Sequence, residues 1–258
     1  MKTKITTMIV LTIIALGLLL GLTIGRKDKS TNDMKKTIET SDSTKVAERV
    51  LNLIILDESG SMSGLEKVSV DGVNETIQTI KSSFEKSPEQ KQLLTFVTFS
   101  DKYGLPYRIR LDLDDISVVN NYEMKDYCPG GTTPLYDTMG KTLTEMEKIT
   151  TDDDLVLVTI ITDGYENSSR EYDREMVNAL VRRLDEKDWV FTYIGANQDA
   201  VLEAGRIGIH NAMNYDADER GVREMWKKEN SSRLRFMEGA RTGTAKERLK
   251  RGYFENEK

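Results

Sequence analysis

Two hydrophobic periodicities alternate along the chain. Val50-Leu51-Asn52-Leu53-Ile54-Ile55-Leu56 is a short, nearly continuous apolar run, the pattern of a strand covered on both faces. Beyond a Gly/Ser turn, Val73, Ile77, Ile80 and Phe84 recur at helical spacing. Leu93 to Phe99 predicts a second strand, and Tyr107 to Leu113 alternates like an edge strand. Leu135, Met139, Leu143 and Met146 predict another helix, and Leu155 to Ile161 a third buried strand. Tyr172, Met176, Leu180 and Leu184 mark a further helix, followed by a strand over Trp189 to Ile194. Strands alternating with helices predict an α/β domain, Rossmann-like and doubly wound: a mostly parallel central sheet with helices on both faces. It is assigned to residues 49–216. Residues 217–258 are highly charged, with apolar positions only at intervals (Met225, Trp226, Leu234, Phe236, Met237). They predict a helix packed on the domain, then a frayed tail.

The amino-terminal pattern differs. Residues 5–25 carry no charged side chain, and as a helix they would span roughly 30 Å, the thickness of a bilayer's hydrocarbon core. Lys2 and Lys4 precede them, and Arg26, Lys27 and Lys29 follow at once. A cleaved signal segment has a shorter apolar core and a small-residue cleavage site, so residues 1–25 read as a transmembrane anchor that is retained. Residues 26–48, rich in Lys, Ser, Thr and Asp, read as a polar linker. Counting basic residues near the membrane would place the domain in the cytoplasm. The short basic amino-terminal tail, which resembles the start of an export signal, favours an extracytoplasmic domain instead. The expectation is a single-pass membrane protein.

Composition narrows the chemistry. With 37 Lys and Arg against 43 Asp and Glu, the net charge of −6 argues against a nucleic-acid partner. One cysteine, Cys128, excludes an intrachain disulfide and a multi-cysteine zinc site. One histidine, His210, removes most zinc and His-based catalytic constellations. Both read as structural, Cys128 as a small buried thiol. Oxygen ligands remain.

In a doubly wound sheet, function collects at the carboxyl ends of the strands. Three polar clusters are predicted there: Asp57-Glu58-Ser59-Gly60-Ser61, Gly130-Gly131-Thr132-Thr133-Pro134, and Thr162-Asp163-Gly164. In an extended loop, residues two apart point the same way, so Asp57, Ser59 and Ser61 would face one point. A threonine hydroxyl and a second carboxylate from the other loops would complete an oxygen cage suited to Mg²⁺, Mn²⁺ or Ca²⁺. Each cluster alone also suits a plain role: the serines as turn and helix-cap residues, Asp163-Gly164 as a turn.

Together, in this order and each at a strand-to-helix junction, the clusters resemble the von Willebrand factor A (vWA) domain with its metal-ion-dependent adhesion site. The resemblance covers residues 50–214 and is densest at Leu56 to Met62, Gly131 to Asp137, and Ile160 to Gly164. Phe191 to Asp199 looks like a bacterial and phage subgroup. The resemblance implies metal-ligand roles for Asp57, Ser59, Ser61 and Asp163. The family's threonine falls on Thr132 or Thr133, and the spacing into the following helix fits Thr133 better. Glu58, Asn197 and Asp199 are secondary candidates at the same rim, Asp199 equally as a helix cap.

The expected function is a membrane-anchored module that holds a divalent cation and uses it to engage a carboxylate of a protein partner, without catalysis. The alternative is a Mg²⁺-dependent hydrolase or phosphatase using Asp57. It suffers from Ser59 standing where such enzymes place a second carboxylate. A serine hydrolase fails because Met62 occupies the nucleophile position of Gly60-Ser61-Met62-Ser63-Gly64.

Overall fold

A computed structural model of the chain describes residues 46–196, 199–245 and 252–255. The expected anchor at 5–25, nearly all of the linker, and Asn197 lie outside these residues. Among the described residues no helix is long and apolar enough to cross a membrane.

Six strands form one sheet: β1 (Arg49–Asp57), β2 (Lys91–Phe99), β3 (Tyr107–Asp115), β4 (Asp154–Thr162), β5 (Val190–Ala196) and β6 (Asn211–Tyr215). Their order is β3-β2-β1-β4-β5-β6. All neighbours pair in parallel except β2 and β3, so β3 is an antiparallel edge, and two register shifts interrupt its pairing. β1 alternates between two cores. Val50 and Ile54 join the helices α1 (Glu66–Lys86) and α5 (Glu219–Thr242) on one face. Leu51, Leu53 and Ile55 join α2 (Leu135–Glu147), α3 (Arg174–Asp185) and α4 (Ala200–Arg206) on the other. This two-sided burial is the physical reason for the unbroken apolar run.

The doubly wound, mostly parallel sheet agrees with the sequence expectation, with three differences of detail. The buried stripe of α3 is Val177, Leu180, Val181 and Leu184, while Met176 is exposed. Those positions follow i, i+3, i+4, i+7 more closely than the expected set. The helix α4, seven residues long, was signalled in the sequence only by its cap, Asp199. In the carboxyl-terminal region Leu234 is exposed, whereas Tyr253 is buried rather than frayed and packs near Phe236.

The helix α5 is fastened to the sheet by polar groups as well as by Trp226, Phe236 and Met237. Arg233 is fully buried and pairs at 2.8 Å with Glu229, also fully buried. Its other donors reach Asn52 Oδ1 on β1 and Thr159 Oγ1 on β4, each at 2.8 Å, and the Tyr253 hydroxyl lies 3.1 Å from Glu229 Oε1. Burying an ion pair is tolerable only when the remaining donors and acceptors find partners, as they do here.

Candidate functional site

The site is built where β1 and β4 end side by side. Leu56 pairs with Ile161, so Asp57 and Thr162 leave the sheet together. The Thr162 hydroxyl donates to Asp57 Oδ2 at 2.6 Å, and the Ser59 amide donates to Oδ1 at 2.7 Å. The Asp57 carbonyl accepts from the Tyr127 hydroxyl at 2.6 Å. Asp57 is therefore fixed at both its backbone and its carboxylate. Ser59 Oγ and Ser61 Oγ lie 3.1 Å apart, and Ser61 Oγ donates to Asp163 Oδ1 at 2.6 Å. A Cβ placed on Gly164 would lie 3.7 Å from Thr133 Oγ1 and 3.9 Å from Ser61 Oγ, so the two hydroxyls both face the space beside this residue. Asp57, Ser59, Ser61, Thr133 and Asp163 thus meet at one rim. Ser61 is exposed, while the two carboxylates are buried.

Two loops hold Thr133 in place. Gly131 has φ +76°, and a Cβ there would fall 2.5 Å from Asp101 Oδ1 and 2.7 Å from the Lys102 amide nitrogen. Only glycine permits that backbone and that approach. The next amide, of Thr132, donates to Asp101 Oδ1 at 2.7 Å. On the other side Asn167 Oδ1 accepts from the Thr133 amide at 2.9 Å, and the Asn167 amide donates to the Thr133 carbonyl. Below it, Asp137 in the first turn of α2 accepts from the amides of Arg170, Glu171 and Tyr172. Burial alone would raise the Asp137 pKa, but those amides outweigh it and hold the group below its usual value.

Electrostatics set Asp57 apart. Burial pushes its pKa from 3.8 to about 6, against the lowering effect of the Thr162 and Ser59 hydrogen bonds, and the nearby Asp163 adds to the rise. Asp163 is also raised, again chiefly by burial, with the Ser61 hydroxyl opposing. Two carboxylates that resist ionisation beside each other, surrounded by neutral hydroxyls, form a site short of positive charge.

Among the described secondary candidates, Glu58, Thr132 and Asp199 do not join the cage; Asn197 lies outside the described residues. Glu58 is out of phase with Asp57 and Ser59 and points to β3, where it pairs with Arg108 and, at 3.2 Å, with Arg110, and accepts from the Cys128 amide. Burial would raise its pKa, yet these partners together lower it. Thr132 is exposed and tied to Asp101. Asp199 caps α4 by accepting from the Leu202 amide at 3.1 Å. Cys128 is half-buried rather than buried, and His210 is exposed at the amino end of β6, opposite the rim. Sequence reasoning placed Thr162 in the third rim cluster without giving its hydroxyl a role, and missed Asp101 and Asn167.

Solved structures with similar folds include the PilB minor pilin from Streptococcus sanguinis (TM-score 0.51, 12% identity, 74% of this chain and 62% of that one). The pilus adhesin SpaC from Lactobacillus rhamnosus GG is similar at a TM-score of 0.52 and 10% identity, over 73% of this chain and 31% of that one. The chain shares its fold with both. A von Willebrand factor type A protein from Catenulispora acidiphila aligns at a TM-score of 0.48 and 15% identity, over 73% of this chain and 43% of that one. This chain covers less than two thirds of the length of each of these three proteins. At such identities the likeness is one of fold, and the observed sheet agrees with the vWA-like architecture that the sequence resemblance implies. No family model matches the chain, and no curated protein does.

Proposed function

We propose that this chain is a vWA-type interaction module that binds a divalent cation through Asp57, Ser59, Ser61, Thr133 and Asp163. The cation, Mg²⁺ or else Mn²⁺ or Ca²⁺, then engages a carboxylate of a protein partner. The observation that supports this reading is the grouping at one rim of two buried carboxylates, Asp57 and Asp163, with the hydroxyls of Ser59, Ser61 and Thr133. The donor set fits such an ion on chemical grounds: hard oxygen atoms only, with Asp57 held by hydroxyl and amide donors rather than by a lysine or arginine. Among the described residues no group of three His, Cys, Asp or Glu could hold a metal, so the hydroxyls are essential to this reading. When bound, the ion supplies a Lewis-acidic centre for an incoming oxygen ligand. The chain's own part is orientation. Thr162 and the Ser59 amide hold Asp57, Asn167 and Asp101 hold the Thr133 loop, and Ser61 links the first motif to Asp163.

In this reading residues 5–25 anchor the chain in a membrane with the domain on the extracytoplasmic side, which protease access to the domain in intact cells would check. In this reading the role of the site is binding rather than catalysis. Calorimetric titration of the full chain with MgCl₂ and MnCl₂ tests the core of the proposal. Wild type should bind with heat released or absorbed at one site, and Asp57→Ala should not. Equal affinity in the two proteins would refute it.

A further inference from the structure

The loop beside the site carries a cluster that the cation reading does not use. Lys102 and Arg108 both approach the ring of Tyr103, at 5.4 and 4.2 Å from its centroid, and Tyr103 is half exposed. Lys102 Nζ is held by the carbonyls of Cys128 and Pro129, at 3.1 and 3.3 Å, so its hydrogen-bond partners are neutral. Glu58 is a single carboxylate shared between Arg108 and Arg110. Lys102, Arg108 and Arg110 thus stand against two nearby carboxylates, Glu58 and Asp101, which leaves the cluster one positive charge in excess.

Its position is fixed relative to the cage. Glu58 is the residue after Asp57, and Lys102 follows Asp101, which holds the Thr132 amide next to Thr133. Lys102 is exposed, Arg108 keeps 27% of its side chain exposed beside Glu58, and cations held against an aromatic ring lose little side-chain freedom on meeting an anion.

We infer that Lys102, Tyr103 and Arg108 form a second anchor, and that the partner is a protein segment with a run of acidic residues. One carboxylate would meet the cation and a neighbouring one would meet this cluster. The inference rests on the proposed cation site and adds a specificity that the cation alone cannot give. A metal ion accepts any carboxylate, whereas the cluster rewards a second negative charge close by.

The test uses two acetylated, amidated peptides with the full chain and MnCl₂ at low ionic strength: Gly-Gly-Glu-Gly-Gly and penta-glutamate. Five carboxylates give penta-glutamate a roughly fivefold statistical advantage. Two additional partly exposed ion pairs should raise its preference in wild type to about twentyfold or more. In the Lys102→Gln/Arg108→Gln double variant the ratio should return to about fivefold. Taking the ratio within one protein cancels any change in metal affinity caused by the substitutions. A wild-type ratio near fivefold, with binding still lost in EDTA and in Asp57→Ala, would overturn this inference and leave the cation site standing. Peptide binding unaffected by EDTA and by Asp57→Ala would overturn the cation reading instead, and absence of binding by either peptide would overturn both.

Discussion

Asp57 is the most informative position to perturb, because its environment predicts opposite effects with and without cation. A carboxylate whose pKa rises from 3.8 to about 6 on folding favours the folded state fully below pH 3.8, and that benefit is lost as pH rises through about 6. The loss corresponds to about 3 kcal/mol at one pH unit per 1.36 kcal/mol. At pH 7.5 the metal-free protein therefore carries a charged Asp57 that opposes folding. Replacing it with Asn removes the charge, keeps an oxygen to accept from Thr162 or the Ser59 amide, and gives up the cation. In EDTA at pH 7.5 Asp57→Asn should melt higher than wild type, by up to about 6–12 °C for a domain of this size. Imperfect replacement of the 2.6 and 2.7 Å hydrogen bonds reduces that gain. Near pH 4 the two proteins should melt together. Adding MgCl₂ at pH 7.5 should raise the wild-type melting temperature and leave the variant where it was. Differential scanning fluorimetry across pH 4–8, with EDTA or MgCl₂, reads all three comparisons. A variant less stable than wild type in EDTA at pH 7.5, or one that responds equally to MgCl₂, would refute the reasoning.

Two other outcomes follow from the same structure. Arg233→Met leaves Glu229 buried without its cation, which should cost about 3–5 kcal/mol in urea denaturation; the Glu229→Leu/Arg233→Met pair should recover most of it, and a single variant within 1 kcal/mol of wild type, taken as roughly the scale of an exposed pair, would contradict the account. Asp137 has a lowered pKa, so its stabilisation is present above pH 3.8 and fades as pH falls through the depressed value. Asp137→Asn should accordingly lose about 1–3 kcal/mol at pH 7 by denaturant titration, with the gap closing in acid, and a gap that persists unchanged at low pH would point to packing instead.

Much of this was legible in the chain because each central strand is buried on both faces and so reads as an unbroken apolar run. β1 and β4 are the plainest cases. The ligand candidates were legible for a related reason. Asp57, Ser59 and Ser61 are spaced by two, and the structure gathers them with Thr133 and Asp163 on one rim. Ser61, however, sits in a short 3-10 turn (Gly60–Met62) and not in the extended loop that the spacing argument assumes. Alternation at the end of β1 argues against Glu58 as a rim candidate, because its phase sends it to Arg108 and Arg110. What escaped were features set by distant partners. No local pattern joins Asp101 to Thr132, or Asn167 to Thr133. Of the helix α4 only the Asp199 cap was legible, because a seven-residue element buried through Ala200 and Ala204 presents no large apolar stripe. The error in α3 had a different origin. Met176 and Val177 both suit a helical face, and only the packing chose between adjacent rotations.

The outer strand β3 has a consequence beyond the site. Its unpaired side would be an invitation to another chain's backbone, the route by which open sheets grow into fibres. Here the strand alternates Arg108, Arg110, Asp112 and Asp114 with its apolar residues, and its pairing with β2 is broken twice. An incoming strand would meet both a kinked template and a row of charges, so copies crowded together have little means of zipping edge to edge.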